Sequence, residues 1–356
     1  MKKILFINKD SIMGGSAISL LILLKKLKKL NYKIYVILCQ PGALEKELIK
    51  LKIPYTIINF CCWRNLKYRL KNFSAIFSLK KFLKHNSFDL IHSNSYEVNP
   101  LAVYAKIKNI KTICHIRDVV NYKRAKKFLL HKTDMLITVS KYCSKLLGNI
   151  NKNIKTVYNG VEPLQQKKYK KSISKKINVG IIGNCERRKR QKDFIAAALL
   201  ILNHHKNFIF HIIGCSSNSN QYAKEMYRLI PENLKKHFKF IRFKKDIMSF
   251  LQRLNILVIT SEEEAFGRTA IEAMYLKKPV IATKTGGLQE IVIHNKTGLL
   301  FNIGDIKTLA KHIEYLSRNK KLAEKFGKEG FNRAKKMFSS QIYINNIVKI
   351  YNSLLK

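Results

Sequence analysis

Carboxylates gather in one short stretch of an otherwise strongly basic chain. The 356 residues include 69 Lys and Arg against 22 Asp and Glu, which gives a formal net charge of +47. Residues 251–300 alone hold six Lys and Arg against five Glu, among them Glu264 and Glu272. Glu264 lies in a predicted loop, and Glu272 lies more than a turn inside the helix that follows. Their separation suits two contacts on one extended ligand better than a shared proton or a metal ion.

A glycine turn between these two carboxylates predicts a place for a negatively charged group. Gly267 allows close approach of the backbone where a helix begins. The N–H groups of Gly267, Arg268 and Thr269 have no partners within such a helix, so we expect them to point at an anion. The same short stretch therefore offers both carboxylates and anion-binding donors to one ligand.

Short apolar strands alternate with longer helical segments, which is typical of parallel sheets wrapped by helices. The pattern breaks at residues 162–176, a linker rich in Lys, Tyr and Ser, and then restarts. The predicted strands are Ile4–Ile7, Ile34–Leu38, Tyr55–Ile58, Leu90–His92, Lys111–Ile116, Met135–Val139, Lys155–Val157, Asn178–Ile182, Phe208–Ile213, Phe238–Phe243, Ile256–Thr260 and Val280–Thr283.

The fold class that follows is α/β, with two doubly wound, Rossmann-like domains. We place an N-terminal domain at residues 1–165 and a second domain at residues 166–339. A C-terminal helix at about residues 340–356 is expected to pack back on the first domain. The carboxyl ends of both sheets would then face one cleft, where such folds bind ligands.

The order of these motifs resembles the retaining GT-B glycosyltransferases of family 4, also described as glycosyl transferases group 1. The pattern Glu-x7-Glu at Glu264 and Glu272, with Phe266-Gly267 after the first Glu, resembles the donor-site signature of that family. Further landmarks match along nearly the whole chain: Gly14-Gly15-Ser16, His115-Ile-Arg-Asp118, Val139-Ser140-Lys141 and Val157-Tyr-Asn-Gly-Val161. Each landmark is weak alone, but their order and spacing together favour this family and a GT-B fold.

A basic segment at the start of the second domain resembles the part of this family that binds a diphosphate. The family pattern is Gly-Arg, followed several residues later by Lys and usually by Gly. Lys189 fits, whereas Asn184 stands at the usual Arg and Arg190 at the usual Gly. The second cation of the site therefore stays open between two neighbouring residues, Arg187 and Arg188.

The resemblance implies a reaction and a role for each residue. A sugar would pass with retention from a nucleotide-sugar donor, of the UDP- or GDP-hexose type, to a glycan or lipid-linked acceptor of a bacterial-type cell-surface polysaccharide. Glu264 would hold hydroxyls of the donor sugar, His115 would contact the sugar from the other domain, and Glu272 would bind the ribose. The implied catalytic residues are Glu264, His115 and Lys189, and the implied donor-binding residues are Gly15, Asn184, Arg188, Lys189, Phe266, Gly267, Arg268, Thr269 and Glu272.

No metal ion or other cofactor is expected, and the nucleotide-sugar acts as co-substrate. The seven Asp residues never form an Asp-x-Asp pair, which argues against the metal-dependent sugar transferases. Cations and backbone N–H groups can stabilise the charge that grows on a departing diphosphate, and the loss of one such donor costs roughly 3 kcal/mol of barrier. The candidates are Lys189, the Gly15 amide and the helix start at Gly267–Thr269.

The positive charge also predicts contact with an anionic membrane. The segment Trp63–His85 interleaves Leu and Phe with Lys and Arg, as interfacial amphipathic helices do, although a helix whose apolar face is simply core fits as well. No apolar run approaches the roughly 20 residues needed to cross a bilayer. The seven Cys form no C-x-x-C pair, which favours reduced thiols. We therefore expect a cytoplasmic protein, peripheral on the inner face of the cell membrane.

Two other functions stay open at this point. A sugar-nucleotide epimerase on the same fold is hard to exclude from the sequence. A nucleic-acid-binding protein would suit the charge of +47. However, the sequence contains no helix-turn-helix, zinc-ligand spacing or aromatic RNP-type strand, so we expect no nucleic acid partner. No G-x-G-x-x-G follows a predicted strand, which disfavours a nicotinamide-dependent enzyme.

Overall fold

The chain consists of two compact units in the computed structural model, which describes residues 1–9, 11–61, 63, 72–162, 176–217, 219–242 and 247–355. Met1–Glu162 together with Ser340–Lys356 forms the first unit, and Pro163–Ser339 forms the second. The expected domain boundary between residues 165 and 166 lies outside the described residues. None of the described helices combines the length and the apolar character that a membrane span requires.

The first unit is built on a parallel sheet of seven strands. Its strands are β1 (Lys3–Asn8), β2 (Lys33–Leu38), β3 (Tyr55–Ile57), β4 (Leu90–Ser93), β5 (Lys111–Ile116), β6 (Met135–Thr138) and β7 (Ile154–Thr156). Their order across the sheet is β3-β2-β1-β4-β5-β6-β7, and neighbours are parallel. The winding reverses between β1 and β4, and doubly wound sheets bind ligands at that position, outside the carboxyl ends of the strands.

Helices cover both faces of this first sheet. Because its strands are buried on both sides, their sequences are nearly continuous apolar runs. Every residue of β4 and β6 is buried. The described helices are α1 (Gly15–Lys29), α2 (Ala43–Lys50), α3 (Phe73–His85), α4 (Asn99–Ala105), α5 (Tyr122–Lys127) and α6 (Lys141–Leu147).

The second unit repeats this design with six parallel strands. They are β8 (Ile177–Ile182), β9 (Phe208–Ile213), β10 (Phe238–Ile241), β11 (Ile256–Ile259), β12 (Val280–Thr283) and β13 (Gly298–Phe301). The order β10-β9-β8-β11-β12-β13 reverses between β8 and β11. The helices are α7 (Gln191–His204), α8 (Gln221–Arg228), α9 (Ile247–Arg253), α10 (Arg268–Tyr275), α11 (Leu288–Ile291), α12 (Ile306–Arg318) and α13 (Lys320–Met337).

The last helix, α14 (Ser340–Leu354), returns to the first unit. Its Tyr343, Ile347 and Tyr351 are buried in one apolar cluster with residues of β1 and α1. The helix begins against Gly160, where an added Cβ would lie 2.7 Å from the Ser340 Cα. These features confirm the predicted fold class of two Rossmann-like units with a C-terminal helix packed on the first.

The cysteines depart from the sequence expectation. Cys185 and Cys215 are joined by a disulfide, and both are buried. The expectation of reduced thiols is therefore wrong for this pair, which lacks the short spacing that marks many redox motifs. The described free cysteines are Cys39, Cys114 and Cys143, which are buried, and Cys61, which is exposed.

The expected membrane segment, Trp63–His85, is described at Trp63 and from residue 72 onward, and its remaining residues lie outside the described part. Helix α3 buries Ala75, Leu79 and Leu83 in the core. Phe73 and Phe77 point outward, at 65% and 71% exposure. The apolar residues of α3 therefore divide between core and solvent, instead of forming one face as expected.

Candidate functional site

Two loops meet at the carboxyl edge of the second sheet, on either side of the point where its winding reverses. One loop follows β8 and carries Lys189, and the other follows β11 and carries Glu264. Thr260 Oγ1 donates to the backbone carbonyl of Lys189 at 2.7 Å. The backbone N–H of Glu262 donates to the carbonyl of Arg188 at 2.8 Å. The two loops are thus fastened to each other at the position where such sheets bind ligands.

Lys189 and Glu264 form an ion pair between these loops. Lys189 Nζ donates to Glu264 Oε1, and each side chain is 17% exposed. Ser261 Oγ donates to the same carboxylate oxygen at 3.0 Å. The cation expected to bind diphosphate and the carboxylate expected to hold the sugar are therefore direct partners. A ligand that binds both side chains would break the bond between Lys189 and Glu264 and form a new bond to each of them.

The glycine pair after β12 fixes the backbone of Glu264. Gly286 has a φ of +49°, and an added Cβ would lie only 2.2 Å from the Glu264 carbonyl oxygen. The N–H of Gly287 donates to that same oxygen at 2.8 Å. Only glycine meets both demands, since L-residues disfavour this φ and carry a Cβ. The Glu264 loop is thereby held close to the adjacent loop.

The second carboxylate, Glu272, lies one turn inside α10. Arg268 Nε donates to Glu272 Oε1 at 2.8 Å, and the two side chains are 16% and 11% exposed. Burial raises the pKa of Glu272, while the Arg268 guanidinium opposes that shift. The helix starts after Gly267, whose φ is +104°. Thr269 is half-buried in the first turn, where backbone N–H groups have no partner within the helix.

Three other polar side chains of the loop after β8 donate hydrogen bonds to two carboxylates, those of Glu186 and Glu225. Asn184 Nδ2 donates to Glu186 at 3.3 Å, and Arg188 Nε donates to the same carboxylate at 2.6 Å. Arg187 instead donates to Glu225 of α8, at 2.9 and 3.1 Å. The two arginines between which the sequence could not choose thus have different partners, and Arg188 is the one tied to Asn184 through Glu186.

Arg190 shows why the resembling family usually has glycine at this position. Its backbone adopts the left-handed conformation, with φ +48° and ψ +41°. That conformation costs an L-residue other than glycine about 1 kcal/mol. Arg190 compensates with hydrogen bonds to Asp193 at 2.7 and 3.2 Å. The turn that presents Lys189 is therefore kept although the glycine is replaced.

Phe266 was expected to bind the donor, and its ring lies in the core of the second unit. It is 4% exposed and packs edge-on against Phe338, with the ring centroids 5.9 Å apart. The side chain therefore anchors the Glu264 loop to the end of α13. A donor contact at this position has to come from the backbone.

The first unit carries Gly15 and His115. Gly15 is exposed in the first turn of α1, which has no acidic residue and no side-chain cap. Asn94 Nδ2 donates to Ser16 Oγ at 3.3 Å and to Asn8 Oδ1 at 2.8 Å. Asn8 ends β1 and Asn94 follows β4, so this pair spans the point where the winding of the first sheet reverses.

His115 lies at the end of β5 and is fully buried. Its Nδ1 is 3.3 Å from Arg117 Nη2, and its ring centroid is 5.5 Å from that of His92. Burial, Arg117 and His92 together hold the pKa of His115 well below its usual range. Burial, aided by Arg117, likewise lowers the pKa of His92 to about 3. Both rings are therefore neutral at neutral pH.

The sequence predicted no role for four polar residues of these sites. Asn94 and Arg117 follow buried strands of the first sheet, Tyr343 lies on α14, and Ser261 follows β11. A polar residue directly after an apolar strand was the signal for three of them. No pattern in the sequence connects Tyr343 with Arg117, because 226 residues separate them.

Comparison with known proteins gives two adjoining family matches. The profile of the family described as Glycosyl transferases group 1 matches residues 163–333. That of Glycosyltransferase Family 4 matches residues 13–164. Together they span residues 13–333, and the boundary between them falls at the junction of the two units.

Individual relatives agree with these matches. The capsular polysaccharide biosynthesis glycosyltransferase CapM of Staphylococcus aureus is 29% identical over 191 residues, which is 54% of this chain and 50% of CapM. An uncharacterized glycosyltransferase of Methanocaldococcus jannaschii, MJ1178, is 26% identical over 355 residues, which is 96% of this chain and 95% of that protein. The chain thus spans about half the length of the first relative and nearly all of the second.

Solved structures share the fold over the full length. HepE of Anabaena, solved in complex with UDP, superposes with a TM-score of 0.85 at 21% identity and covers 99% of this chain and 100% of HepE. The same protein has also been solved with UDP-glucose. At this level of identity the likeness establishes the fold alone.

Proposed function

The chain belongs to the group 1 glycosyltransferases with a GT-B fold, and we propose that it moves a hexose-type sugar, with retention, from a UDP- or GDP-sugar to a glycan or lipid-linked acceptor. The observation that carries this proposal is the Lys189–Glu264 pair at the carboxyl edge of the second sheet. The name of CapM supports an acceptor in cell-surface polysaccharide synthesis. The UDP complex of HepE supports UDP as the first nucleotide to test.

In this proposal, Lys189 binds the diphosphate of the donor and stabilises its negative charge. Negative charge grows on this leaving group as its bond to the sugar breaks, and fixed donors stabilise that charge most where water is largely excluded. Lys189 Nζ is such a donor, since its side chain is only 17% exposed. The exposed Gly15 amide, the start of α10 and Arg188 add further donors. These groups supply the neutralising charge that a metal ion provides elsewhere, so the proposed site is independent of metal.

The two carboxylates have separate tasks in this scheme. Glu264 leaves Lys189 and accepts hydrogen bonds from hydroxyls of the donor sugar, while Ser261 keeps the carboxylate in place. Glu272 accepts from the ribose hydroxyls and is oriented by Arg268. Because one carboxylate precedes α10 and the other lies inside it, they contact different parts of one donor.

Retention follows if the acceptor oxygen attacks the anomeric carbon on the face from which the diphosphate departs. The bond from that carbon to the phosphate oxygen breaks as the new glycosidic bond forms. The proton of the acceptor hydroxyl passes to the departing phosphate oxygen, so no enzyme nucleophile is required. The scheme assigns Glu264 to hydroxyls of the donor sugar and Glu272 to the ribose, so neither carboxylate is needed as a nucleophile.

We further propose a peripheral membrane contact through α3, on the cytoplasmic face of the membrane. Phe73 and Phe77 project from the helix one turn apart, at 65% and 71% exposure. Lys80, Lys81 and Lys84 are exposed further along the helix. Exposed aromatic rings beside several cations suit the boundary between acyl chains and anionic headgroups. Such a contact would bring the protein to a lipid-linked acceptor.

The test of the proposed activity is nucleotide release from a panel of UDP-, GDP- and ADP-sugars, with and without crude glycolipid acceptor. The expected result is release of one nucleotide that increases with acceptor and gives a product of unchanged anomeric configuration. Absence of release and of binding for every donor would contradict the proposal. Interconversion of sugars on the nucleotide without transfer would indicate an epimerase.

A further inference from the structure

Arg117 is a buried cation held entirely by neutral groups. The residue is 8% exposed, and within the described part of the chain no carboxylate lies within ion-pair distance of it. Its Nε donates to Asn94 Oδ1 at 2.8 Å, and its Nη1 donates to Asn159 Oδ1. Its Nη2 donates to the Tyr343 hydroxyl at 3.0 Å and lies 3.3 Å from His115 Nδ1.

Such an arrangement is costly for the fold. A buried charge without an opposite charge loses its hydration, and hydrogen bonds to neutral groups recover only part of that loss. A buried charge without an opposite charge is expected where a residue contributes to function and not to stability. Since Arg117 reaches three segments besides its own, at Asn94, Asn159 and Tyr343, its contribution is to hold their relative positions.

The contact with His115 defines where the proton of that histidine lies. A guanidinium has donors only, so Arg117 can bond to His115 Nδ1 only if this nitrogen is the acceptor. The neutral imidazole then carries its hydrogen on Nε2. His115 Nε2 is buried and has no hydrogen-bond partner among the described residues. The ring therefore presents an N–H donor that the surrounding protein does not use.

The neighbouring histidine lacks this control. His92 Nδ1 lies 2.6 Å from the hydroxyl of Tyr351. A phenol can donate or accept, so this contact permits either tautomer of His92. His92 Nε2 is also buried without a partner among the described residues, so what distinguishes His115 is that Arg117 fixes its tautomer. Through Asn94, Arg117 is also connected to Ser16, the residue after Gly15.

We propose that Arg117 is a positioning residue that holds His115 as an Nε2–H donor toward an oxygen atom of the bound sugar. The proposal rests on the proposed function, because it assigns His115 to the donor sugar. The group that His115 recognises is then an acceptor, such as a hydroxyl or ring oxygen, and an ammonium group is disfavoured there. Asn94 fixes the position of Arg117 relative to the start of α1, and Tyr343 links Arg117 to α14.

The tautomer can be measured without any substrate, by 15N NMR of protein labelled at histidine. The signals of His115 are those that disappear in the His115→Gln variant. We expect wild-type protein to show His115 as the neutral Nε2–H tautomer, and Arg117→Lys, whose single ammonium cannot reach four acceptors, to lose that preference. A proton on Nδ1, or a charged ring, in wild-type protein would overturn the proposal.

Two tyrosines of α14 provide a matched pair for the kinetic test. Tyr343→Phe removes the hydroxyl that holds Arg117, and Tyr351→Phe removes the hydroxyl on His92. We expect Tyr343→Phe to lower kcat about tenfold, as the loss of one positioning hydrogen bond does, with the Kd for UDP unchanged. Tyr351→Phe is expected to leave kcat unchanged. Equal effects of the two variants on kcat would contradict the role of Arg117.

Substitutions of His115 itself test which ring nitrogen is used. The side-chain amide nitrogen of Gln reaches the position of Nε2, whereas that of Asn reaches the position of Nδ1. His115→Gln should therefore retain more turnover than His115→Asn, and the reverse order would contradict Nε2–H donation. Wild-type protein that turns over no nucleotide-sugar would contradict the proposed function, while the NMR measurement would still decide the role of Arg117.

Discussion

Lys189 Nζ and Glu264 Oε1 are bonded across the loops that follow β8 and β11, although 75 residues separate them in the chain. Neighbouring parallel strands bring their carboxyl ends together, which is why two distant motifs form one site. Under the proposed function, donor binding would be an exchange of partners, in which Lys189 turns to the diphosphate and Glu264 turns to the sugar.

Replacement of Lys189 tests its role at the leaving group. Lys189→Ala should lower kcat about 100-fold or more, the scale seen when one donor to a developing negative charge is lost. Lys192→Ala is the matched control, because Lys192 bonds to Glu225 at 2.9 Å instead of Glu264. Steady-state kinetics with a UDP-sugar would measure both, and comparable losses of kcat would argue against a specific role for Lys189.

Replacement of Glu264 should separate nucleotide binding from transfer. Glu264→Ala frees Lys189 from its carboxylate, so the affinity for UDP is expected to rise, by up to about fivefold for a partly exposed ion pair. Transfer of the sugar should nevertheless fall, because the contact with its hydroxyls is lost. Titration calorimetry and turnover assays measure the two quantities. Weaker binding of UDP by this variant would contradict the exchange of partners.

The pKa of Glu272 predicts how donor binding depends on pH. Burial raises this pKa, against the effect of Arg268, so Glu272 takes up a proton at a higher pH than an exposed Glu. A protonated carboxyl accepts the ribose hydroxyls less well, and affinity for a UDP-sugar should fall as the pH falls through the raised pKa. In Glu272→Gln this pH dependence should disappear, whereas Glu324→Gln, exposed on α13, should keep it. An unchanged pH profile in Glu272→Gln would assign the dependence to another group.

The close contact of Gly286 predicts a strong effect of one methyl group. Gly286→Ala would place a Cβ 2.2 Å from the Glu264 carbonyl oxygen at a φ of +49°. We expect a lower Tm and loss of transfer, because the Glu264 loop has to move. Gly14→Ala is the control for stability, since no atom lies within 4 Å of its added Cβ and its φ is −118°. Equal Tm values for the two variants would contradict this packing of the loop.

Membrane contact through α3 is tested by charge reversal. Glu in place of Lys80, Lys81 and Lys84 should abolish co-sedimentation with anionic vesicles, and added salt should weaken the binding of wild-type protein. The same reversal at Lys320, Lys321 and Lys325, which are exposed on α13, is the matched control. Ser in place of Phe73 and Phe77 should also weaken binding. Wild-type protein that binds neutral vesicles equally well would contradict an electrostatic contact.

The sequence predicted the fold well because both sheets consist of buried parallel strands. Twelve strands were predicted near their observed positions, and the alternation of strands and helices led to the two units. Strand β13, Gly298–Phe301, was missed. It has only four residues and follows directly on a turn, so it offers little periodicity to detect.

The site was predicted in part, and the reasons are physical. Glu264, Glu272 and Lys189 belong to contiguous motifs, which are readable along one segment. The pairing of Lys189 with Glu264 cannot be predicted from the sequence, because it depends on which strands are neighbours and on the close approach of Gly286 to Glu264. The expectation for Phe266 was made from a motif, and the structure places its ring in the core. Arg117 belongs to the motif His115-Ile-Arg-Asp118, but its hydrogen bond to Tyr343 of α14 cannot be predicted from that motif.

A structure of the protein with an intact UDP-sugar would test the exchange of partners most directly. We expect Lys189 Nζ to lie about 3 Å from a diphosphate oxygen, an ordinary hydrogen-bond distance. We also expect Glu264 to bond to a sugar hydroxyl and the Lys189–Glu264 bond to be broken. A donor bound elsewhere, or bound while Lys189 and Glu264 remain paired, would contradict the proposed function of this pair.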